Sequence, residues 1–201
     1  MRELIPGLWH WTTEHPNLGQ DVSSYYLTEA ATLLDPLVPA EGLDAFDGLP
    51  TPEHVVLSCR HHDRDHAQFV EAFGADFHVS EHGVQEYPGE DVKAYAVGDQ
   101  IVPGVTAAAN GPIAPDDTVL KLAVGGGALA FADSLISAGG TVGFVPDGLL
   151  GDDPEQVRAD ITAAVSELLE TQEFEHVLFA HGDPMVGGGR EALAALVQNP
   201  S

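Results

Sequence analysis

Four short apolar runs in this chain stop on an acid or a histidine. "TLLD" (32–35) ends on Asp35, and "HVVLSCRHHDRDH" (54–66) runs into His61, His62, Asp63, Asp65 and His66. "ALAFAD" (128–133) ends on Asp133, and "HVLFAH" (176–181) on His181. Apolar runs this short, bounded by Gly, Pro and Asp, read as strands. In sheets with crossover helices, ligands gather beyond the carboxyl ends of the strands. If these four ends converge, imidazoles and carboxylates meet at one edge. That mixture of N and O donors is what a divalent metal takes. Asp35 taken alone reads as a turn former; five metal-capable side chains within six residues do not.

The remaining pattern fixes the class. "VSSYYLT" (22–28), "ATLLD" (31–35), "EHVVLS" (53–58) and "DFHVS" (76–80) read as strands. "TVLKLAVGGGALAFAD" (118–133) is two apolar runs joined by three glycines, a hairpin signal. "HAQFVEAFGA" (66–75) puts Phe69, Val70 and Phe73 on one helical face, with Gly74 as a stop. "DDPEQVRADITAAVSELLE" (152–170) is the clearest helix: Asp153 caps it and Pro154 suits its first position. A last strand (176–183) and a last helix (189–197) follow. Hairpins and crossovers are both present, so the class is α/β or α+β.

Length and composition narrow the functions. With 201 residues, 44% of them hydrophobic, the chain is read as one domain spanning 1–201. The formal charge is −25, from 32 Asp and Glu against 7 Lys and Arg. Such a surface repels phosphate backbones and anionic lipid, so neither nucleic acid nor membrane is an expected partner. No run approaches the roughly 20 apolar residues that span a bilayer. One cysteine, Cys59, excludes an internal disulfide framework. The expectation is a soluble cytoplasmic protein acting on a small molecule.

Within the cluster, alternate residues of an extended stretch share a face. His61, Asp63 and Asp65 therefore point together, and His62 points away; a bulge would exchange the roles of His61 and His62. Asp65 and His66 straddle the start of the following helix, where the dipole favours a carboxylate. Cys59 reads as a small core residue. His54 and His176 each open a strand and belong at the opposite edge.

These motifs resemble the metallo-β-lactamase superfamily. Its His-x-His-x-Asp-His signature aligns with His61-His62-Asp63-Arg64-Asp65-His66, with Asp63 where the second histidine stands. Asp133 in "LAFADSLI" matches the later carboxylate, and His181 in "FAHGDP" the last histidine. The resemblance runs from "SSYYLT" to the C-terminal helix and implies a four-layer αββα sandwich. It implies metal ligation by His61, Asp63, Asp65, His66, Asp133 and His181. The cofactor implied is one or two Zn2+ ions, with iron or manganese as other candidates. The family's middle histidine is absent: that region reads "AANGPIAPDDTVLKL" (108–122), where Asp116 and Asp117 read first as a solvated turn, with entry of one of them into the metal site as the alternative.

The expectation is a hydrolase acting on a small ester, thioester, amide or phosphoester through a metal-activated water, with Asp65 as the catalytic residue that orients the water and takes its proton. The alternative is a degenerate, non-catalytic member that binds a ligand or serves as a scaffold. A di-iron redox enzyme is a third option, for which the chain leaves no room for a flavin domain.

Overall fold

The computed structural model describes residues 1–200. The first sheet takes its seven strands in chain order: β1 (Arg2–Ile5), β2 (Leu8–Glu14), β3 (Asp21–Leu27), β4 (Thr32–Leu34), β5 (His54–Val56), β6 (Asp76–Ser80) and β7 (Val92–Tyr95). β1 to β4 are antiparallel neighbours; β4 to β7 pair in parallel. The second sheet is built from β8 (Gln100–Val102), β9 (Val105–Asn110), β10 (Thr118–Leu122), β11 (Ala128–Phe131) and β14 (His176–Phe179). Its order is β14-β11-β10-β9-β8, with β11 and β14 parallel. A small hairpin of β12 (Ile136–Ala138) and β13 (Thr141–Gly143) separates β11 from the long helix.

Side-chain alternation sorts the strands into layers. Tyr25, Leu27, Leu34 and Val56 face the second sheet and pack with Leu120, Leu122 and Leu178. The residues between them, Tyr26, Leu33, Val55 and Leu57, face outward under α1 (His66–Phe73), meeting its Phe69. On the other side, Leu129, Phe131, Val177 and Phe179 lie beneath α2 (Pro154–Thr171) and α3 (Gly189–Gln198), against Ile161, Val165, Leu168, Leu193 and Leu196. Three apolar clusters thus separate four layers in the order α, β, β, α. The Tyr25 hydroxyl ties the sheets together by donating to the Phe179 carbonyl at 2.7 Å.

Local chemistry sets the boundaries as the sequence indicates. Asp153 Oδ1 accepts from the Gln156 amide at 3.1 Å, and Pro154 opens α2. Gly74 ends α1 in the left-handed region, at φ 69°. The triple glycine joins β10 and β11, all three residues at positive φ. β1, β2, β7, β8, β9, β12 and β13 are strands the sequence patterns left unassigned. No helix among the described residues is long and apolar enough to cross a membrane.

Candidate metal centre

Three of the four strand ends meet around Asp133. It stands two residues beyond Phe131, the end of β11, and His181 two residues beyond Phe179, the end of the parallel neighbour β14. Matched parallel strands carry the two side chains to the same height. His181 Nε2 lies 3.3 Å from Asp133 Oδ1. The second imidazole is His62, in a short 3-10 turn (Arg60–His62) after β5. Its Nε2 lies 3.1 Å from the same Asp133 oxygen, and its Nδ1 lies 2.9 Å from Asp35 Oδ2. Two imidazole nitrogens and one carboxylate oxygen therefore converge, each within 4.8 Å of the others.

The sequence reading preferred His61 at the centre and His62 behind it. The 3-10 turn reverses this, because it breaks the alternation on which that reading relied. His62 is buried, whereas His61 is exposed, its Nδ1 3.7 Å from the outer oxygen of Asp133. Asp35, at the end of β4, holds His62 in place. Its Oδ1 accepts from the Ser58 amide at 2.8 Å and its Oδ2 from the Ser58 hydroxyl at 2.5 Å. Asp35 also adopts φ 46°, an unusual conformation for a residue other than glycine.

Asp63, Asp65 and His66, the other expected ligands, turn elsewhere. Asp65 precedes α1 with its carboxylate directed at the chain: Oδ2 accepts from the Val38 amide at 2.8 Å and Oδ1 from Gln68 Nε2 at 2.7 Å. His66 stacks on Phe77, pairs through Nδ1 with Asp63, and reaches Glu90 Oε2 through Nε2 at 2.9 Å. All three side chains take partners other than Asp133, and His66 packs the start of α1 against β6. The role of water-orienting base assigned to Asp65 thus has no geometric support here.

Arg64, Asp116 and Asp117 border the cluster. Arg64 donates from Nη1 to the carbonyls of Ser23, at 2.9 Å, and Asp35, at 2.8 Å. Burial lowers its pKa, while the charges of Asp35 and Asp133 oppose that. Asp117 is fully buried and accepts from the Ser134 hydroxyl through Oδ2. Its Oδ1 has no partner, and burial pushes it up to about 7. Asp116 is also buried, with Arg60 donating to it from the backbone amide at 2.6 Å and from Nε at 2.8 Å. The solvated turn expected at 116–117 is instead a buried carboxylate pair beside the cluster. Spacing alone carried no signal for it.

Electrostatics follow from this packing. Burial disfavours the His62 imidazolium, but Asp35 and then Asp133 outweigh burial and push it up to about 9. Burial likewise opposes ionisation of Asp133, yet hydrogen bonds from His181 and His62 hold it far below the usual carboxylate range. Cys59 is buried, and burial drives its thiol well up, which keeps it protonated. It lies near His61 and the outer Asp133 oxygen.

Gly182 fixes the backbone beyond His181. It adopts φ 95°, and a Cβ there would fall 1.8 Å from the Ser137 carbonyl oxygen. Ser137 N donates to the His181 carbonyl at 3.2 Å, and the Ser23 hydroxyl donates to the Gly182 carbonyl at 3.0 Å.

Comparison with solved structures places this arrangement. A metallo-beta-lactamase from Hirschia baltica superposes with TM-score 0.67 at 17% identity, covering 98% of this chain and 95% of that one. The chain has the metallo-β-lactamase fold. A metallo-beta-lactamase family protein from Thermus thermophilus gives TM-score 0.64 at 17% identity, covering 98% and 80%. A flavo di-iron protein from Thermotoga maritima gives 0.65 at 15% identity, covering 98% of this chain and 61% of that one. No family model matches the sequence, and no curated protein does. Within the metallo-β-lactamase fold, this chain puts one buried histidine, one strand-end histidine and one carboxylate at the sheet edge.

The donor set suits a divalent ion. Asp35 secures His62 Nδ1, which leaves Nε2 free to ligate once deprotonated; a carboxylate behind a histidine is a frequent partner of metal-bound imidazole. His62, His181 and Asp133 supply three protein ligands, the number a catalytic zinc takes while keeping one position open. Asp65 and His66 add no donor to this group, because their polar atoms are engaged elsewhere.

Proposed function

We propose that the chain is a metal-dependent hydrolase that works with one divalent ion, zinc in the first instance, held by His62, Asp133 and His181. The substrate class is a small ester, thioester, amide or phosphoester. The observation that carries this reading is the convergence of His62 Nε2 and His181 Nε2 on Asp133 Oδ1, with Asp35 fixing the His62 ring from behind. When bound, such an ion supplies Lewis acidity at neutral pH, acidifying water and polarising an acyl or phosphoryl oxygen.

The chain's own residues set the stage for that chemistry. Asp35 holds the proton on His62 Nδ1, so that only Nε2 faces the site. Arg64 places a fixed positive charge beside Asp35 and Asp133, where it attracts an anionic substrate group.

Metal analysis of the purified protein, followed by a hydrolase substrate panel with and without chelator, tests the proposal. The expected result is chelator-sensitive turnover and about one equivalent of transition metal that depends on His181, both lost in His181→Ala. Absence of both from the wild type would rule it out. A ligand-binding protein without turnover is the second reading, favoured by the engagement of the Asp65 carboxylate with Val38 and Gln68. It predicts saturable binding of a small anion with no product formed.

A further inference from the structure

A second group of metal donors lies away from the strand-end cluster. β5 opens on His54 and β6 on Asp76, and the two are direct register partners in the parallel ladder. His78, two residues along β6, returns to the same face. These side chains therefore share one face near the starting edge of the sheet, opposite the edge that carries His62 and Asp133. The outward face of the same strands is occupied by Val55, Phe77 and Val79 in the core beneath α1.

The three donors are close. His78 Nε2 lies 3.3 Å from His54 Nδ1, and His54 Nδ1 lies 3.8 Å from Asp76 Oδ2. All three atoms fall within 4.8 Å of one another. Nitrogen and oxygen ligands about 2.0–2.1 Å from a tetrahedral zinc are roughly 3.4 Å apart, so the observed spacings need little adjustment. The rings meet edge-on, with centroids 5.2 Å apart at 71°. His78 is buried.

We propose that His54, Asp76 and His78 form a separate mononuclear site for a borderline divalent metal, zinc above all, which ties β5 to β6. Two imidazoles and a carboxylate are a suitable donor set for that class of ion. The site requires nothing of the strand-end cluster. Its one opponent is Lys93, the register partner of His78 on β7, whose ammonium pairs with Asp76 Oδ2. Lys93 is half exposed and its long side chain can swing away. Its charge competes with the metal for Asp76, so the proposal predicts that removing it strengthens binding. A salt bridge beside an ordinary histidine pair predicts no such gain.

The test is a titration of chelator-stripped full-length protein with Zn2+ alone at pH 7.5, read by calorimetry and by the thermal midpoint. His54→Gln should remove one equivalent of zinc or weaken it by at least about tenfold, since even partners one step removed from a metal cost that much. Lys93→Gln should tighten the same equivalent severalfold. His181→Gln should leave this equivalent untouched, whatever it does at the strand-end cluster. If the wild type binds a single equivalent that His54→Gln abolishes and His181→Gln spares, the site proposed here stands and the strand-end reading fails. If His54→Gln and His78→Gln both leave zinc stoichiometry and affinity at wild-type values, the proposal is overturned. The same holds if Lys93→Gln brings no tightening.

Discussion

The imidazole of His62 bridges two carboxylates, buried Asp35 and part-buried Asp133, with Nδ1 2.9 Å from Asp35 Oδ2 and Nε2 3.1 Å from Asp133 Oδ1. One ring thereby connects the ends of β4 and β11, strands of different sheets. Removing it leaves buried Asp35 and part-buried Asp133 without their shared counter-charge. His62→Gln should cost about 3–5 kcal/mol of stability in the metal-free protein, the usual penalty for breaking a buried ion pair. It should also abolish zinc binding at the strand ends. Asp35→Asn keeps the shape but loses the charge behind the ring; it should lower zinc affinity about 10–100-fold. Denaturant melts and zinc titrations of the two variants check both effects.

The same bridge sets a pH dependence. Folding raises His62 from 6.5 to about 9, so its stabilisation is fully present below pH 6.5 and fades as pH rises through 9. A shift of this size corresponds to roughly 3 kcal/mol as an upper figure. The thermal midpoint of chelator-stripped protein should fall between pH 6.5 and 9.5, and His62→Gln should flatten that slope. A wild-type midpoint constant across this range would show that His62 does not carry the charge assigned to it.

Asp117 lowers stability in the same direction, as a cost rather than a lost gain. It is an acid raised from 3.8 to about 7 by burial, with Oδ1 unpartnered, so the penalty on the folded state builds as pH rises from 3.8 and is complete above 7. Asp117→Asn preserves the contact with Ser134 and carries no charge. At pH 8 it should stabilise the protein by roughly 1–3 kcal/mol, the range for relieving an unsatisfied buried group. At pH 4, where the native acid is already neutral, the gain should disappear. Paired melts at the two pH values measure the difference.

Asp65 and Asp133 should separate cleanly. Asp65→Asn disturbs the acceptor for the Val38 amide and costs about 1 kcal/mol, with zinc affinity unchanged. Asp133→Asn removes the oxygen on which both imidazoles converge and should eliminate binding at the strand ends. Equal loss of metal from both variants would mean that Asp65 swings into the site in solution.

Much of the scaffold was legible because its signals are local. The triple glycine, the Asp153 cap with Pro154, and Gly74 each act within a turn of chain, and the structure has them in those roles. The strand-end pattern led to Asp133 and His181 for a similar reason: a parallel ladder transmits position faithfully from one strand to the next. The interior of the cluster at 61–66 was harder to read. Strand alternation favoured His61, and a single 3-10 turn from Arg60 to His62 was enough to exchange it with its neighbour. Asp116 and Asp117 were hidden for another reason. Their burial depends on Arg60 and Ser134, partners 56 and 17 residues away that no short-range pattern connects to them.

Gly182 bears on how this protein can change over evolutionary time. With the Ser137 carbonyl where a β-carbon would stand, nearly every substitution at this codon collides with main chain rather than with a movable group. The peptide that presents His181 is thus clamped on both sides, by Ser137 and by Ser23. Variation around the cluster is left to its other segments, while the imidazole's pedestal stays constant.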